Sequence, residues 1–182
     1  MKKVLLSSIL ILLSTLAVFA YETVIIKYPP GDLWLKAYYK KIGNEAILQY
    51  TPKGQSHNNW TRTIVVHSYN ESSYPVNVFI NNNLAMMKKT NPTGNYKFLK
   101  MTDVDSMAWR CTQDYKGVSA QCEFFRVTRA HGGLVSLHYI NKNKDDFLSN
   151  YTEWYDIIRK AKYYNSYYRT DRTLDKAEYF EL

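Results

Sequence analysis

Cys111 and Cys122 are the two cysteines of a 182-residue chain, and their spacing decides what chemistry they can do. A thiol redox catalyst needs a close C-x-x-C pair with an activated thiolate. These two lie instead in WRCTQDYKGVSAQCEFF, around the turn formers Lys116-Gly117. Taking those as a two-residue turn sets position 111 opposite position 122. Facing Cα atoms are about 5.5 Å apart in a hydrogen-bonded antiparallel pair and about 4.5 Å in a non-bonded one. Both suit a disulfide, and counting outward from the turn makes this a hydrogen-bonded pair. The expectation is a Cys111–Cys122 bridge across a hairpin, stabilising by about 3 kcal/mol or slightly less.

The stretch YTPKGQSHNNWT, at 50–61, places turn formers and amides before a tryptophan. Pro52 and Gly54 let the chain turn. Ser56, His57, Asn58 and Asn59 can bond local backbone groups that lack sheet partners. Trp60 supplies apolar mass to hold the loop, worth about 2–3 kcal/mol at ~25 cal/mol per Å². On this structural reading Trp60→Ala costs about 3–5 kcal/mol if the ring is fully buried. The other reading is a ligand loop, in which Gln55, Ser56, His57, Asn58, Asn59 and Trp60 meet a polar ligand such as a sugar.

Other chemistry is weakly signalled. There is no G-x-S-x-G elbow, and the four histidines show no H-x-x-x-H spacing. Asp103 and Asp105 would share a strand face, but without paired His or Cys ligands they read as an acidic strand edge. A glycosidase needs two positioned carboxylates, and Glu45, Glu123 and Glu153 cannot be paired from sequence. The chain has 17 tyrosines, and YYNSYYR at 163–169 could stack on sugars or bases. At the end of an amphipathic pattern it reads better as the cover of a core edge. No catalytic residue, metal ligand or cofactor is assigned.

These residues need a compartment and a scaffold. The opening MKKVLLSSILILLSTLAVFAYE has a basic start, an apolar run from Val4 to Leu16, and Val18 and Ala20 at small-residue positions. That order predicts a signal peptide over 1–20, cleaved before Tyr21, and the run is short of the ~20 residues that span a bilayer. The expected location is periplasmic or secreted, with a soluble mature protein. An even cysteine count in an exported chain agrees with a disulfide. The formal net charge is +8, but the basic residues are scattered among acidic ones, which describes a solvated surface. No nucleic-acid partner is expected.

Strands are expected at 22–28, 45–50 and 61–69. Between the first two, Asp32 would cap a helix presenting Trp34, Leu35, Tyr38, Tyr39 and Ile42 on one face, ended by Gly43. Pro75 opens a helix over 76–89 with Phe79, Ile80, Leu84 and Met87 inward. Strands follow at 95–101, 106–113, 119–129 and 134–140, the last after a His131-Gly132-Gly133 turn. A long helix over 144–168 would carry the stripe Phe147, Tyr151, Trp154, Ile158 and Ala161. The predicted fold is α+β: a single antiparallel sheet packed by helices, including a long C-terminal amphipathic one. It forms one domain over 21–169, followed by a loosely packed tail at 170–182.

YTPKGQSHNNWTRTIVV, with the later CEFFRVTRAHGGLVSLHYI, resembles a family of small exported bacterial proteins of unknown function. The family pattern Y-x-P-x-G-x-[ST], then N-W and an apolar strand, falls here on Tyr50, Pro52, Gly54, Ser56, Asn59, Trp60 and Ile64 to Val66. The likeness covers roughly residues 44–165. The element order is also similar to the PsbP/Mog1-like α/β sandwich. Neither resemblance implies a catalytic residue. The expected function is a non-enzymatic exported module that binds a polar ligand or an envelope protein. The alternative is a secreted hydrolase or host-directed effector with catalytic residues that no motif reveals.

Overall fold

The computed structural model describes residues 22–29, 31–130, 132–165 and 179–181. The predicted leader and its cleavage site lie outside these residues, as do the turn residue His131 and most of the predicted tail. The chain runs through β1 (Glu22–Ile25), β2 (Trp34–Ile42), β3 (Glu45–Pro52), β4 (Arg62–Asn70) and α1 (Val76–Thr90). It continues through β5 (Asn95–Lys100), β6 (Asp105–Thr112), β7 (Gln121–Ala130), β8 (Gly133–Asn141), α2 (Lys144–Ser149), α3 (Tyr151–Lys160), β9 (Lys162–Asn165) and β10 (Tyr179–Glu181).

Seven strands form one antiparallel sheet in the order β2-β3-β4-β8-β7-β6-β5, and a second, three-stranded sheet has the order β10-β1-β9. The α+β expectation with a large antiparallel sheet therefore holds, but there are two sheets rather than one.

Side chains alternate across each strand, and the two faces of the large sheet build different layers. On one face, Phe147, Trp154 and Ile158 of the last helices, with Val24 and Ile26 near β1, bury against Leu48, Ile64, Phe124, Leu137 and Tyr139. Tyr139 and Trp154 stack with ring centroids 3.6 Å apart. On the other face, Val76, Ile80 and Leu84 of α1 cover Ala108, Phe125, Val127 and Leu134. Among the described residues, helix α1 packs on this face mainly over β6 and β7.

Two predicted helices are corrected. Residues 34–42 form β2, not a helix. The strand carries the aromatics Trp34, Tyr38 and Tyr39 and the β-branched Ile42, which suit a pleated surface, and Gly43, at φ +56°, turns it directly onto β3. A register shift between Lys36 and Tyr38 interrupts the alternation, and a bulged strand then mimics helical spacing. Asp32 caps nothing and instead pairs with Arg62 at 3.2 Å.

The long C-terminal helix is two short ones. Asn150 breaks it, with its amide on the Asp146 carbonyl and carboxylate. The second helix stops at Lys160, where the Arg126 guanidinium takes the carbonyls of Ile158, Arg159 and Ala161. A cation there satisfies carbonyls that lack intrahelical donors. The chain then turns extended into β9. Of the predicted stripe, Phe147, Trp154, Ile158 and Ala161 are buried and Tyr151 is partly buried. Three residues of the predicted tail form β10 and pair with β1.

Cys111 and Cys122 face each other across β6 and β7 and are bonded. Their Cα atoms are 4.0 Å apart, closer to a non-hydrogen-bonded pair than to the bonded pair that the count from the turn implies. Side chains have replaced ladder bonds in between. The Gln121 N–H donates to the Thr112 hydroxyl, and the Ala120 N–H to the Asp114 carboxylate.

Candidate functional site

On the α1 face, the alternation of five strands brings polar side chains into one connected row. Glu123 on β7 is buried and accepts from the Arg110 guanidinium of β6 at 2.5 Å. Its other oxygen meets His138 Nδ1 of β8, also at 2.5 Å. His138 Nε2 lies 2.8 Å from Ser136 Oγ, two residues back on the same strand face. Further along, the Tyr69 hydroxyl bonds His67 Nδ1 at 2.7 Å, and His67 Nε2 lies 3.2 Å from Glu45 of β3.

Burial sets the protonation of this row. It works against the Glu123 carboxylate, but the Arg110 charge and the His138 bond outweigh it and hold the carboxyl below its ordinary value. At His67, burial wins over the Glu45 bond and charge, so the imidazole is pushed below its usual value. Tyr69 is pushed up to about 12 by burial, with the Glu45 charge adding and a hydrogen bond from Ser136 opposing.

One end of the row opens into a groove of about 420 Å³. Asn44, Glu45, Tyr69 and Asn70 form the wall at the head of the β3–β4 pair. Tyr74, Phe79, Asn82 and Asn83 form the opposite wall, where the chain enters α1. Phe79 meets the Tyr69 ring edge-on at 4.9 Å. The approach of β8 to this end requires a glycine: at Gly133 (φ +156°) a Cβ would overlap the Tyr69 carbonyl oxygen. Asn82 and Asn83 line this groove, a role that the sequence reading did not assign. The usable signal was their position one turn beyond Phe79.

The 55–60 loop lies at the other end of the β3–β4 pair. Gln55 brackets Thr61, accepting from its N–H and donating to its hydroxyl. Ser56 and Asn59 exchange backbone bonds, and Asn58 is exposed at the tip. His57 folds back to stack on Tyr38 at 4.1 Å and to bond Gln49 at 2.5 Å. Trp60 is half-buried, with the Lys142 ammonium 4.0 Å from its ring centroid. The fully buried case does not apply, so removing the ring costs less than 3–5 kcal/mol. These six residues line no part of the groove.

Glu45 and Glu123 stand on one sheet face with the two histidines and Ser136 between them. Glu153 is exposed on α3, beyond the opposite face. Asp105 is tied to Arg126, Lys100 and Thr128, whose bonds overcome the effect of burial and hold it below the usual carboxylate value.

Residues 31–164 match the model of an uncharacterised protein family. The chain belongs to that family. The match contains the polar row, the groove, the 55–60 loop and the disulfide. No curated protein matches the chain.

Proposed function

We propose that this is an exported binding protein of the cell envelope that holds a small hydroxylated ligand in the groove between α1 and the head of the β3–β4 pair. The observation that carries this reading is the lining. Three aromatic rings offer faces to ligand C–H groups, and four asparagines offer donors and acceptors for hydroxyls. The volume suits a monosaccharide or disaccharide. Export is supported by residues 1–20 and by the disulfide. The 55–60 loop then serves as a pinned connection, and its Y-x-P-x-G-x-S…N-W pattern as a mark of the family.

The order Ser136–His138–Glu123 favours a second reading as a hydrolase, since it matches the bond sequence of a nucleophile, a base and an orienting acid. Against it, Ser136 is 1% exposed and does not line this groove, so its oxygen is not presented to a ligand held there. Calorimetry with a panel of monosaccharides and disaccharides tests the binding reading. Saturable binding that Phe79→Ala and Asn82→Ala each weaken at least fivefold, with the fold intact, is the expected result. Covalent labelling of Ser136 by a fluorophosphonate would turn the argument to the hydrolase.

A further inference from the structure

Resting on the groove as the ligand site, we infer that the ligand is an amino sugar with a free, positively charged amine, and that Glu45 reads the charge. The lining contains one carboxylate and neither lysine nor arginine, although the chain carries 24 of those residues. A second carboxylate, Glu71, adjoins the groove, where it accepts from the Asn44 amide at 2.7 Å. Arg129, the cation behind the Ser72–Tyr74 wall, is turned onto the carbonyls of those two residues. The groove is therefore electronegative on a basic protein. The rings of Tyr69, Tyr74 and Phe79 line the same groove, and an aromatic ring attracts an ammonium group placed over it.

Glu45 keeps its charge for the ligand because of its neighbour. Its side chain is 58% exposed, and its partner is His67. The groups facing that imidazole are Glu45 from β3, Tyr69 from its own strand, and His138 from β8. Burial keeps it neutral near pH 7. It then donates through Nε2 to Glu45 and accepts the Tyr69 hydroxyl at Nδ1, so the pair carries a net negative charge. Acidification protonates His67, which then cancels Glu45 and competes with the amine.

Calorimetry at pH 7.0 on the chain from residue 21 onward, with glucosamine, N-acetylglucosamine and glucose, tests this. Glucosamine should bind at least tenfold tighter than the two neutral sugars. Glu45→Gln should remove that preference, so that the variant binds glucosamine no tighter than glucose, without changing the melting temperature. Lowering the pH from 7.0 until the imidazole resonances of His67 report its protonation should shrink the glucosamine advantage while glucose affinity holds. Equal affinities for charged and neutral sugars overturn the charge assignment and leave the groove standing. Binding of none of the three sugars overturns the charge assignment too, and the wider panel then judges the groove on its own.

Discussion

Glu123 shows what a single carboxylate does when a strand carries it into the interior. It stands in the otherwise apolar run CEFF, and a buried anion is tolerated there because Arg110 and His138 both bond it. Breaking such a pair from one side leaves a buried charge uncompensated. Glu123→Gln should therefore cost about 3–5 kcal/mol in denaturant unfolding. The pH dependence has a definite sign. The folded state holds Glu123 below its ordinary value, so its contribution is full above about pH 4.5 and is lost as pH falls through the folded value. His67 is also depressed, so the unfolded chain takes up that proton first, and stability begins to fall below about pH 6.5. Melting temperatures should drop from pH 7.5 towards pH 4, with His67→Gln flattening the upper part. A flat profile in the wild type would contradict the lowered values of both groups. The sequence hinted at this row only through lone polar residues inside apolar strands. Their partners lie on three other strands, and no local pattern encodes which strand will be the neighbour.

Elements with short-range causes were legible: helix 76–89, the hairpin that joins the cysteines, and the apolar stripe of the last helices. Those decided at a distance were not. Strand β2 exists because β3 pairs with it, and the bulge that spoils its alternation also makes a useful edge. Both outer strands of the large sheet carry a register shift and lysines, Lys36, Lys40 and Lys41 on β2 and Lys97 and Lys100 on β5. Such features discourage edge-to-edge pairing with other chains. Helix α3 ends where Arg126, 32 residues earlier, reaches its carbonyls, which no reading of the helix itself can reveal. The disulfide ties β6 to β7 beside the edge strand β5. Reduction, or the double change of Cys111 and Cys122 to Ala, should cost about 2–3 kcal/mol for so short a loop. In a domain of this size that lowers the melting temperature by about 5–10 °C. An unchanged melt after complete reduction would show that the hairpin is held by packing alone.

At the scale of the molecule, helices cover parts of both faces of the seven-stranded sheet, and protection against unfolding should follow depth beneath them. Strands β4, β8 and β7 are central and paired on both sides. Hydrogen exchange should find their amides opening only with global unfolding, while β1 exchanges through a smaller, local opening. Equal protection across both sheets would refute this ranking. Strand β1 also has a kinetic consequence. Its partners are β9 and β10, with Glu22 beside Asn165 and Thr23 beside Glu181. The first strand made thus waits for the last ones, across a loop longer than any other in the fold. Closing it carries the largest chain-entropy cost, although that cost grows only logarithmically with length. Contacts of such high separation form late. In a chain made from its N-terminus, residues 22–26 are available early and remain an open strand until β9 and β10 follow.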